Sequence, residues 1–568
     1  MILGRTAVPG VEARAGRSSG PSLIPALLAI QDRVGWLPRE ELQALSRETK
    51  RPLYEIEGLV TFYPQFRTEQ PRPVRVDLCR DLTCWLRGSA DRVAGVRAVL
   101  GGDADVEVHE VSCPGRCDLA PAATVNDQPV TLDRLDAVVA GQRAGAAPDL
   151  SVVGYRPDGD WPNDPYAGGS PRYGRLRALL AGEITADQVV ATLTEAGLRG
   201  MGGAGFPTGK KWELVAAAAD STRYAICNAD ESEPGTFKDR QILAEQPHLV
   251  LEGMLLGMVV VGAEEGWVFV RHEYGPEEQV LRAELARLRA EGLLGADVLG
   301  SGRRLEVDVF TSPGGYILGE ETALIECMEG HRGEPRNKPP FPGTYGLWGQ
   351  PTLMNSVETF AHVPVIVGRG AKWWKDQGRN GCQGLKFFAV SGHVEQPGVY
   401  CVPMGTTIGE LIETAGGVAG GAALGAVQPG GASSNFLGPD RLDVPLDFGT
   451  LVAAGSMLGS GAVVVMAEGT DLLAAATNVL RFFRNESCGK CVPCRVGSTK
   501  AHALLERVVA AGDGIDDETR STVLQLETVL RMTSICGLGQ VALGPVVSVL
   551  GPDLGGAAPG PAPPRPRD

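Results

Sequence analysis

The hydrophobic pattern along the chain alternates between helical and strand-like stretches. Apolar positions recur at helical spacing in three segments between residues 23 and 62, which predicts a small helical unit. Alternating apolar and polar positions then predict strands at 74–79 and 106–111, with helical sequence between them. Together these segments indicate a compact unit of helices and strands over residues 1–146.

Composition marks the boundaries further along. Pro, Gly and Asp accumulate over 147–172, which indicates a linker. Beyond it we expect a larger α/β domain at 173–384, a small β-rich insert at 385–452 and a helical domain at 453–550. Residues 551–568 are mostly Pro, Gly and Ala, which cannot bury a core, so we expect a mobile tail there.

Length and charge narrow the classes of function. The 568 residues are enough for several domains, and 53 basic against 68 acidic residues give a net charge of -15 that disfavours nucleic-acid binding. No apolar run approaches the roughly 18 residues of a membrane span. Residues 1–20 lack the apolar core of a secretory signal, so we expect a cytoplasmic protein. In a reducing compartment the 12 cysteines favour metal sites over disulfides.

One group of cysteines has the spacing of a cubane iron-sulfur cluster. Cys488, Cys491 and Cys494 form CxxCxxC, which lets one short loop present three thiolates. Cys536 follows a predicted helix and is the natural fourth ligand of a 4Fe-4S cluster. A four-cysteine zinc site is the alternative, although such sites more often use two separated CxxC pairs.

A second group lies in the N-terminal unit. Its two pairs each follow a predicted strand, so two loops can converge on one small site. The pairs are Cys79 with Cys84, and Cys113 with Cys117. Four thiolates suit a 2Fe-2S cluster, and a zinc ribbon remains open on spacing alone.

Three polar loops in the larger domain predict an anionic cofactor. Residues 200–212 contain many glycines followed by two lysines, a composition that can surround a phosphate group. A second loop places three carboxylates, which accept hydrogen bonds from sugar hydroxyls, at Asp230, Glu231 and Glu233. A third loop opens a predicted helix and carries Tyr316, Glu320 and Glu321.

These loops, a Lys-Pro-Pro-Phe-Pro-Gly segment at 338–343 and the CxxCxxC motif occur in an order that resembles the NADH-binding flavoprotein subunit of respiratory complex I. This resemblance covers residues 173–549. Residues 23–143 separately resemble the 24-kDa-type subunit of the same enzyme, including all four cysteines. Together, the two resemblances imply a multidomain α/β protein. Its parts would be a thioredoxin-like 2Fe-2S domain, a Rossmann-like FMN- and NADH-binding domain, a β-grasp insert and a helical bundle holding a 4Fe-4S cluster.

The resemblance also implies site residues. For FMN they are Gly200, Gly202, Gly203, Lys211, Asn228, Asp230, Tyr316, Gly319, Glu320 and Asn355. For NADH they are Phe206, Glu233, Glu321 and Phe341, and Glu231 is a further candidate in the same acidic loop. Three positions depart from the family pattern, namely Met201, Leu214 and Ser356.

The implied chemistry is hydride transfer between a nicotinamide and FMN, followed by single-electron exchange with the clusters, and no side chain is needed as an acid or base. Both units in one chain resemble the flavoprotein subunit of soluble NAD-dependent formate dehydrogenases. We therefore expect a catalytic partner subunit with further clusters and molybdenum or tungsten. Alternatives are the diaphorase subunit of an NAD-reducing hydrogenase, a complex I or bifurcating-enzyme subunit and, from another class, a non-catalytic iron-sulfur scaffold.

Overall fold

The structure is a computed structural model. It describes residues 22–149, 161–167, 169, 172–220, 222–512 and 514–551. Most of the predicted linker at 147–172, and all of the predicted tail except residue 551, lie outside these ranges.

The N-terminal unit begins with three helices and continues into a small mixed sheet. Strands β1 and β2 pair in parallel, β3 and β4 complete the sheet by antiparallel pairing, and the strand order is β2-β1-β3-β4. The elements are α1 (Ile24–Val34), α2 (Arg39–Thr49), α3 (Leu53–Val60), β1 (Val74–Cys79), α4 (Leu82–Leu86), α5 (Ser89–Leu100), β2 (Val106–Val111), β3 (Ala123–Val125), β4 (Gln128–Val130) and α6 (Leu135–Arg143).

The larger domain is built on a four-stranded sheet in which every pairing is parallel. Its order is β7-β6-β5-β8, so the chain adds strands to one side of β5 and then crosses to the other side for β8. The elements are α7 (Gly174–Leu180), α8 (Ala186–Ala196), α9 (Thr208–Ala216), β5 (Tyr224–Ala229), α10 (Lys238–Glu245), α11 (Pro247–Val261), β6 (Glu265–Arg271), α12 (Gly275–Ala290), β7 (Glu306–Ser312), α13 (Glu321–Met328), β8 (Thr352–Ser356) and α14 (Val357–Asp376). The carboxyl ends of β5 and β8 therefore mark the topological switch point, where open α/β sheets bind ligands.

The insert forms a third sheet, of order β10-β9-β12-β11. The elements are β9 (Leu385–Gly392), β10 (Gly398–Pro403), α15 (Ile408–Thr414), β11 (Leu424–Gln428), α16 (Thr450–Ala453) and β12 (Ala462–Ala467). Because β12 is fully buried and pairs in parallel with β9, this sheet extends beyond the expected boundary at residue 452. A parallel partner so far along the chain leaves no local sequence signal.

The C-terminal region is helical. It contains α17 (Leu472–Asn485), α18 (Val492–Ala511), α19 (Asp517–Thr533), α20 (Gly537–Val541) and α21 (Gly544–Leu550). Its buried residues share one hydrophobic core with α1–α3 and α13, so the N-terminal helices pack with the C-terminal helices. Within the described ranges, every helix is too short or too polar to span a bilayer.

Candidate redox site

The three predicted cofactor loops converge at the switch point. The Asn228 side-chain amide, at the end of β5, donates to the Gly319 carbonyl at 2.9 Å. A Cβ on Gly319 would lie 3.3 Å from the Asp230 carbonyl oxygen, and one on Gly202 would lie 3.1 Å from the Ser356 Cβ. Glycine is favoured at both positions because the loops approach one another so closely. The ends of β5 and β8 therefore lie close to the glycine loop and to the third loop.

The glycine loop is held by a hydrogen bond to α14 and leads into α9. Its Met201 amide donates to the Thr359 hydroxyl at 2.9 Å, and Thr359 shares a 2.8 Å hydrogen bond with Ser356. Gly203 has a φ of 128°, which other residues rarely adopt. On α9, the Lys211 ammonium donates to the Met354 carbonyl at 3.0 Å, and burial lowers the Lys211 pKa. A cation beside glycine-rich backbone suits a phosphate group.

Asp230 is the acceptor that the protein leaves open. Burial raises the pKa of this carboxyl to about 7. One carboxylate oxygen accepts from Ser232 at 3.1 Å, whereas the buried Oδ1 has no hydrogen-bond partner among the residues that the structure describes. Buried polar atoms are nearly always paired, so an orphaned acceptor at this position fits the hydroxyl groups of a bound flavin side chain.

The other two carboxylates of the acidic loop have partners within the protein. Glu231 accepts the backbone amides of Asp239 and Arg240 at 2.8 and 3.0 Å and so caps α10. Glu233 accepts from the Ser433 amide at 2.8 Å and the Ser460 hydroxyl at 2.9 Å, which ties the loop to the insert. The sequence pattern predicts three carboxylates that are free to bind a ligand. In the structure, Glu231 and Glu233 already accept hydrogen bonds from other segments of the protein, which the sequence pattern does not reveal.

The third loop forms a short 3-10 turn over Tyr316–Gly319 ahead of α13. Glu320 caps that helix by accepting the Thr322 and Ala323 amides at 3.0 and 2.9 Å. Its other oxygen binds the Lys338 ammonium at 2.7 Å, and Glu321 binds the same ammonium at 2.8 Å. Helix capping thus accounts for Glu320, while Glu321 stays partly exposed with a cation as its partner.

Two phenylalanines lie exposed on these loops. Phe206, within the glycine loop, is 45% exposed and Phe341, three residues after Lys338, is 58% exposed. Exposed rings cost hydration free energy, and such rings on polar loops are suited to stacking on a ligand. Of the three departures from the family pattern, Met201 is buried under the loop, Leu214 is exposed, and Ser356 contacts Thr359.

The N-terminal cysteines form one buried group. All four are nearly inaccessible, and the Sγ atoms of Cys113 and Cys117 lie 3.3 Å apart. The Phe237 ring and the Ala389 methyl group pack around them. Four thiols brought together from two loops fit a 2Fe-2S cluster.

Buried ion pairs fix this cysteine site against the larger domain. Arg116, next to Cys117, makes a 2.7 Å salt bridge with Glu277, and both side chains are almost fully buried. Arg240 bonds Asp118 at 2.7 Å in the same region. The N-terminal sheet is therefore attached through charged groups directly beside its cysteines.

The C-terminal cysteines lie at two helix N-termini. Cys491 and Cys536 occupy the N-cap positions of α18 and α20, with Cys494 in the first turn of α18. A Cβ on Gly539 would lie 3.0 Å from the Cys494 Cβ, so the two helices touch where the cysteines are. Burial raises the pKa of the Cys536 thiol to about 12. Helix N-termini stabilise negative charge, which favours the thiolates of an iron-sulfur cluster.

Comparison with known proteins agrees with this layout. Models of four protein families match the chain, and together they cover the regions of all three sites. They are the Nuo51 FMN-binding domain over 193–365, the thioredoxin-like [2Fe-2S] ferredoxin over 13–140, the NADH-ubiquinone oxidoreductase-F iron-sulfur binding region over 474–551 and the SLBB domain over 387–433.

Individual relatives match over most of their own length. An NADH-quinone oxidoreductase subunit of the F type from Rhizobium meliloti is 43% identical over 387 residues, which are 68% of this chain and 91% of that protein. The chain belongs to the family of NADH-binding subunits that carry FMN and iron-sulfur clusters. HndC of Solidesulfovibrio fructosivorans, from an NADP-reducing hydrogenase, is 40% identical, over 65% of this chain and 74% of its own. A solved NAD+-reducing [NiFe]-hydrogenase structure in the H2-reduced state matches with a TM-score of 0.83 and 32% identity, covering 94% of this chain and 91% of the other.

Family membership confirms the cofactor set and the fold class. The protein is an NADH-oxidising electron-transfer subunit that uses FMN, one 2Fe-2S cluster and one 4Fe-4S cluster. The zinc alternatives for both cysteine groups are thereby answered in favour of clusters. The predicted thioredoxin-like domain, FMN domain, β-grasp insert and helical 4Fe-4S region are confirmed. Two residues near the site were not predicted from the sequence. They are Thr359, which accepts the Met201 amide, and Glu486, which accepts from the Ser112 hydroxyl and the Tyr316 amide; both contact segments far away in the chain.

Proposed function

We propose that the chain is the diaphorase module of an NAD-dependent formate dehydrogenase. In this role it exchanges hydride between NAD(H) and FMN and passes single electrons through its clusters to or from a partner subunit. The observation behind this proposal is that one residue links the third cofactor loop to both cysteine groups. Glu486, two residues before Cys488, accepts from Ser112 beside Cys113 and from the Tyr316 amide. FMN supplies the conversion between two-electron and one-electron chemistry. The chain itself needs only to bind and orient the two rings.

The assignment of residues follows from the contacts. We assign FMN to the glycine loop with Lys211 at its phosphate and Asp230 at its hydroxyl groups, since the first offers a cation and the second an open acceptor. Asn228, near the end of β5, donates to the Gly319 carbonyl of the third loop, and Asn355, near the end of β8, accepts from the Trp212 indole of α9. The remaining FMN-site residues are Gly200, Gly202, Gly203, Tyr316, Gly319 and Glu320. We assign NADH to Phe206 and Phe341, which are exposed on their loops, and to Glu321, which is partly exposed at the start of α13.

The need for a partner subunit follows from the sites that the chain combines. A chain that holds the NAD(H) site and two clusters needs another subunit to react with a second substrate. We propose a formate-oxidising subunit with molybdenum or tungsten and further clusters, because the two-unit fusion resembles formate dehydrogenase flavoprotein subunits. We also propose a cytoplasmic location, where the thiols stay reduced until the clusters assemble.

A second candidate donor is hydrogen. It is favoured by the near-complete overlap with a chain of an NAD+-reducing [NiFe]-hydrogenase, which covers 94% of this protein. The two candidates share one NAD(H) site and differ only in the partner. The geometry of the NAD(H) and FMN loops is thus compatible with either electron donor.

Purification of the native complex separates the candidates. The chain is tagged in its own host, and the intact complex is tested for NAD+ reduction by formate and by hydrogen under anaerobic conditions. We expect formate-dependent NAD+ reduction and molybdenum or tungsten in the complex. Hydrogen-dependent reduction with nickel in the complex would overturn formate in favour of the second candidate, and NAD+ reduction by neither would reject both.

A further inference from the structure

One carboxylate touches segments of all three redox sites. Glu486 accepts the Ser112 hydroxyl through Oε1 at 2.7 Å and the Tyr316 backbone amide through Oε2 at 2.9 Å. Ser112 immediately precedes Cys113 of the 2Fe-2S group, in a segment that we call the cysteine loop. Tyr316 is the first residue of the turn in the third cofactor loop, which we call the flavin loop. Glu486 itself stands two residues before Cys488 of the 4Fe-4S group.

The position of Glu486 is not explained by its own helix. It is the C-cap residue of α17, where the helix dipole is negative and a carboxylate is unfavourable. A neutral residue would suit that helix end better. The two hydrogen bonds, which reach 374 and 170 residues away along the chain, are what the carboxylate contributes instead.

The surrounding groups make the contact well defined. The Cys113 amide donates to Asp81 at 2.8 Å, so the cysteine loop is held by Asp81 at Cys113 and by Glu486 at Ser112. Arg481 and the Asn478 side chain both donate to the Arg80 carbonyl, at 2.6 and 3.1 Å, and so attach α17 to the same N-terminal sheet. The Tyr316 ring packs on Phe482 of α17 with 4.9 Å between ring centroids. Glu486 therefore lies where α17, the cysteine loop and the flavin loop meet.

We propose that Glu486 is a positioning residue that locks the 2Fe-2S loop to the flavin loop and lowers the reduction potential of the 2Fe-2S cluster through its charge. The proposal rests on the proposed placement of FMN beside Tyr316. A fixed negative charge near a cluster disfavours the added electron, because net charge and nearby hydrogen bonds tune cluster potentials. The two hydrogen bonds of Glu486 keep the cysteine loop and the flavin loop at a fixed distance from each other.

Variants of the holoprotein separate the two roles. E486Q keeps the shape and removes the charge, E486A removes both contacts, and S112A removes only the contact to the cysteine loop. Glu506 provides the matched control: it lies in the same helical region with a side chain that is 68% exposed, and E506Q and E506A change charge without touching either loop. The readouts are hydrogen exchange at the Tyr316 amide and the midpoint potential of the 2Fe-2S signal in electron paramagnetic resonance.

Each variant has its own expected result. E486A should exchange the Tyr316 amide several-fold faster than wild type, whereas S112A should leave that amide unchanged and speed exchange in the segment after Cys113. E486Q should move the 2Fe-2S midpoint to higher potential, while E506Q leaves it in place. Tyr316 exchange in E486A and a midpoint in E486Q that both equal the control values would overturn the proposal. Wild-type protein without FMN or without the 2Fe-2S signal would instead reject the proposed function.

Discussion

Asp230 shows at the scale of a residue how a binding site differs from a merely polar loop. The loop carries three carboxylates, yet only Asp230 keeps a buried oxygen free of partners in the part of the chain described. Glu231 and Glu233 are occupied by a helix N-terminus and by serines of the insert. A buried acceptor without a partner lowers the stability of the ligand-free protein. A ligand hydroxyl that pairs with this acceptor removes that cost and so contributes to binding.

The raised pKa of Asp230 predicts a pH dependence of stability in the flavin-free protein. The carboxyl has a pKa of about 7 when folded and an ordinary low pKa when unfolded. The folded state therefore holds its proton more tightly, and this stability is lost as pH rises between about 4 and about 7. Asp230→Asn should remove this loss, on the order of 4 kcal/mol. Denaturant unfolding of both proteins across that range measures it; parallel curves would contradict the pKa.

Cys536 offers a test of one ligand. Cys536→Ser removes the thiolate at the N-cap of α20 and should eliminate the 4Fe-4S signal in electron paramagnetic resonance while the 2Fe-2S signal stays. Bleaching of FMN by NADH should persist, because hydride transfer precedes the clusters. Cys382→Ser, at a half-buried cysteine outside both groups, is the control and should keep both signals. A 4Fe-4S signal retained in Cys536→Ser would remove this cysteine from the ligand set.

At the scale of elements, local pattern and distant pairing account for different parts of the structure. The CxxCxxC motif was predictable because three ligands lie on one short loop, and the helices around it follow their apolar spacing. The end of the insert sheet was not predictable, because β12 joins β9 across more than one intervening helix and strand. The support of the glycine loop by α14 has the same origin, since Met201 and Thr359 are 158 positions apart.

This support of the glycine loop can be measured. Thr359→Val keeps the side-chain shape and leaves the buried Met201 amide without its acceptor, which should lower the free energy of unfolding by about 1–3 kcal/mol. FMN should also bind more weakly, because the loop loses its fixed position. Thr192→Val, where an exposed hydroxyl bonds only its own helix, is the control with little expected change. Equal stability and FMN affinity in the two variants would show that Thr359 does not position the loop.

At the scale of the whole molecule, the N-terminal domain and the flavin domain act as one assembly because charged pairs are buried between them. Arg116 and Glu277 are exposed by 1% and 0%, and Arg240 reaches Asp118 and the Gly115 carbonyl in the same contact. A buried pair adds little net free energy when complete, but removal of one partner is expensive. The contact therefore fixes the orientation of the two domains more than it adds to stability.

Arg116→Met tests this attachment. Loss of the guanidinium beside the buried Glu277 carboxylate should cost roughly 3 kcal/mol and make the N-terminal domain more sensitive to limited proteolysis. Arg97→Met removes an exposed pair with Glu110 in the same domain and should cost less than about 1 kcal/mol. Similar losses in both variants would contradict the role of the buried pair.

We expect NAD(H), FMN and both clusters to exchange electrons within this one chain. An anaerobic titration of the purified holoprotein with NADH tests it, with flavin absorbance and electron paramagnetic resonance recorded on the same samples. We predict bleaching of FMN together with the appearance of a reduced iron-sulfur signal, and the signals of both clusters once a stronger reductant is added. Flavin that stays oxidised in excess NADH, or protein assembled with iron and sulfide but unable to hold FMN, would show that the chain does not carry out this electron exchange.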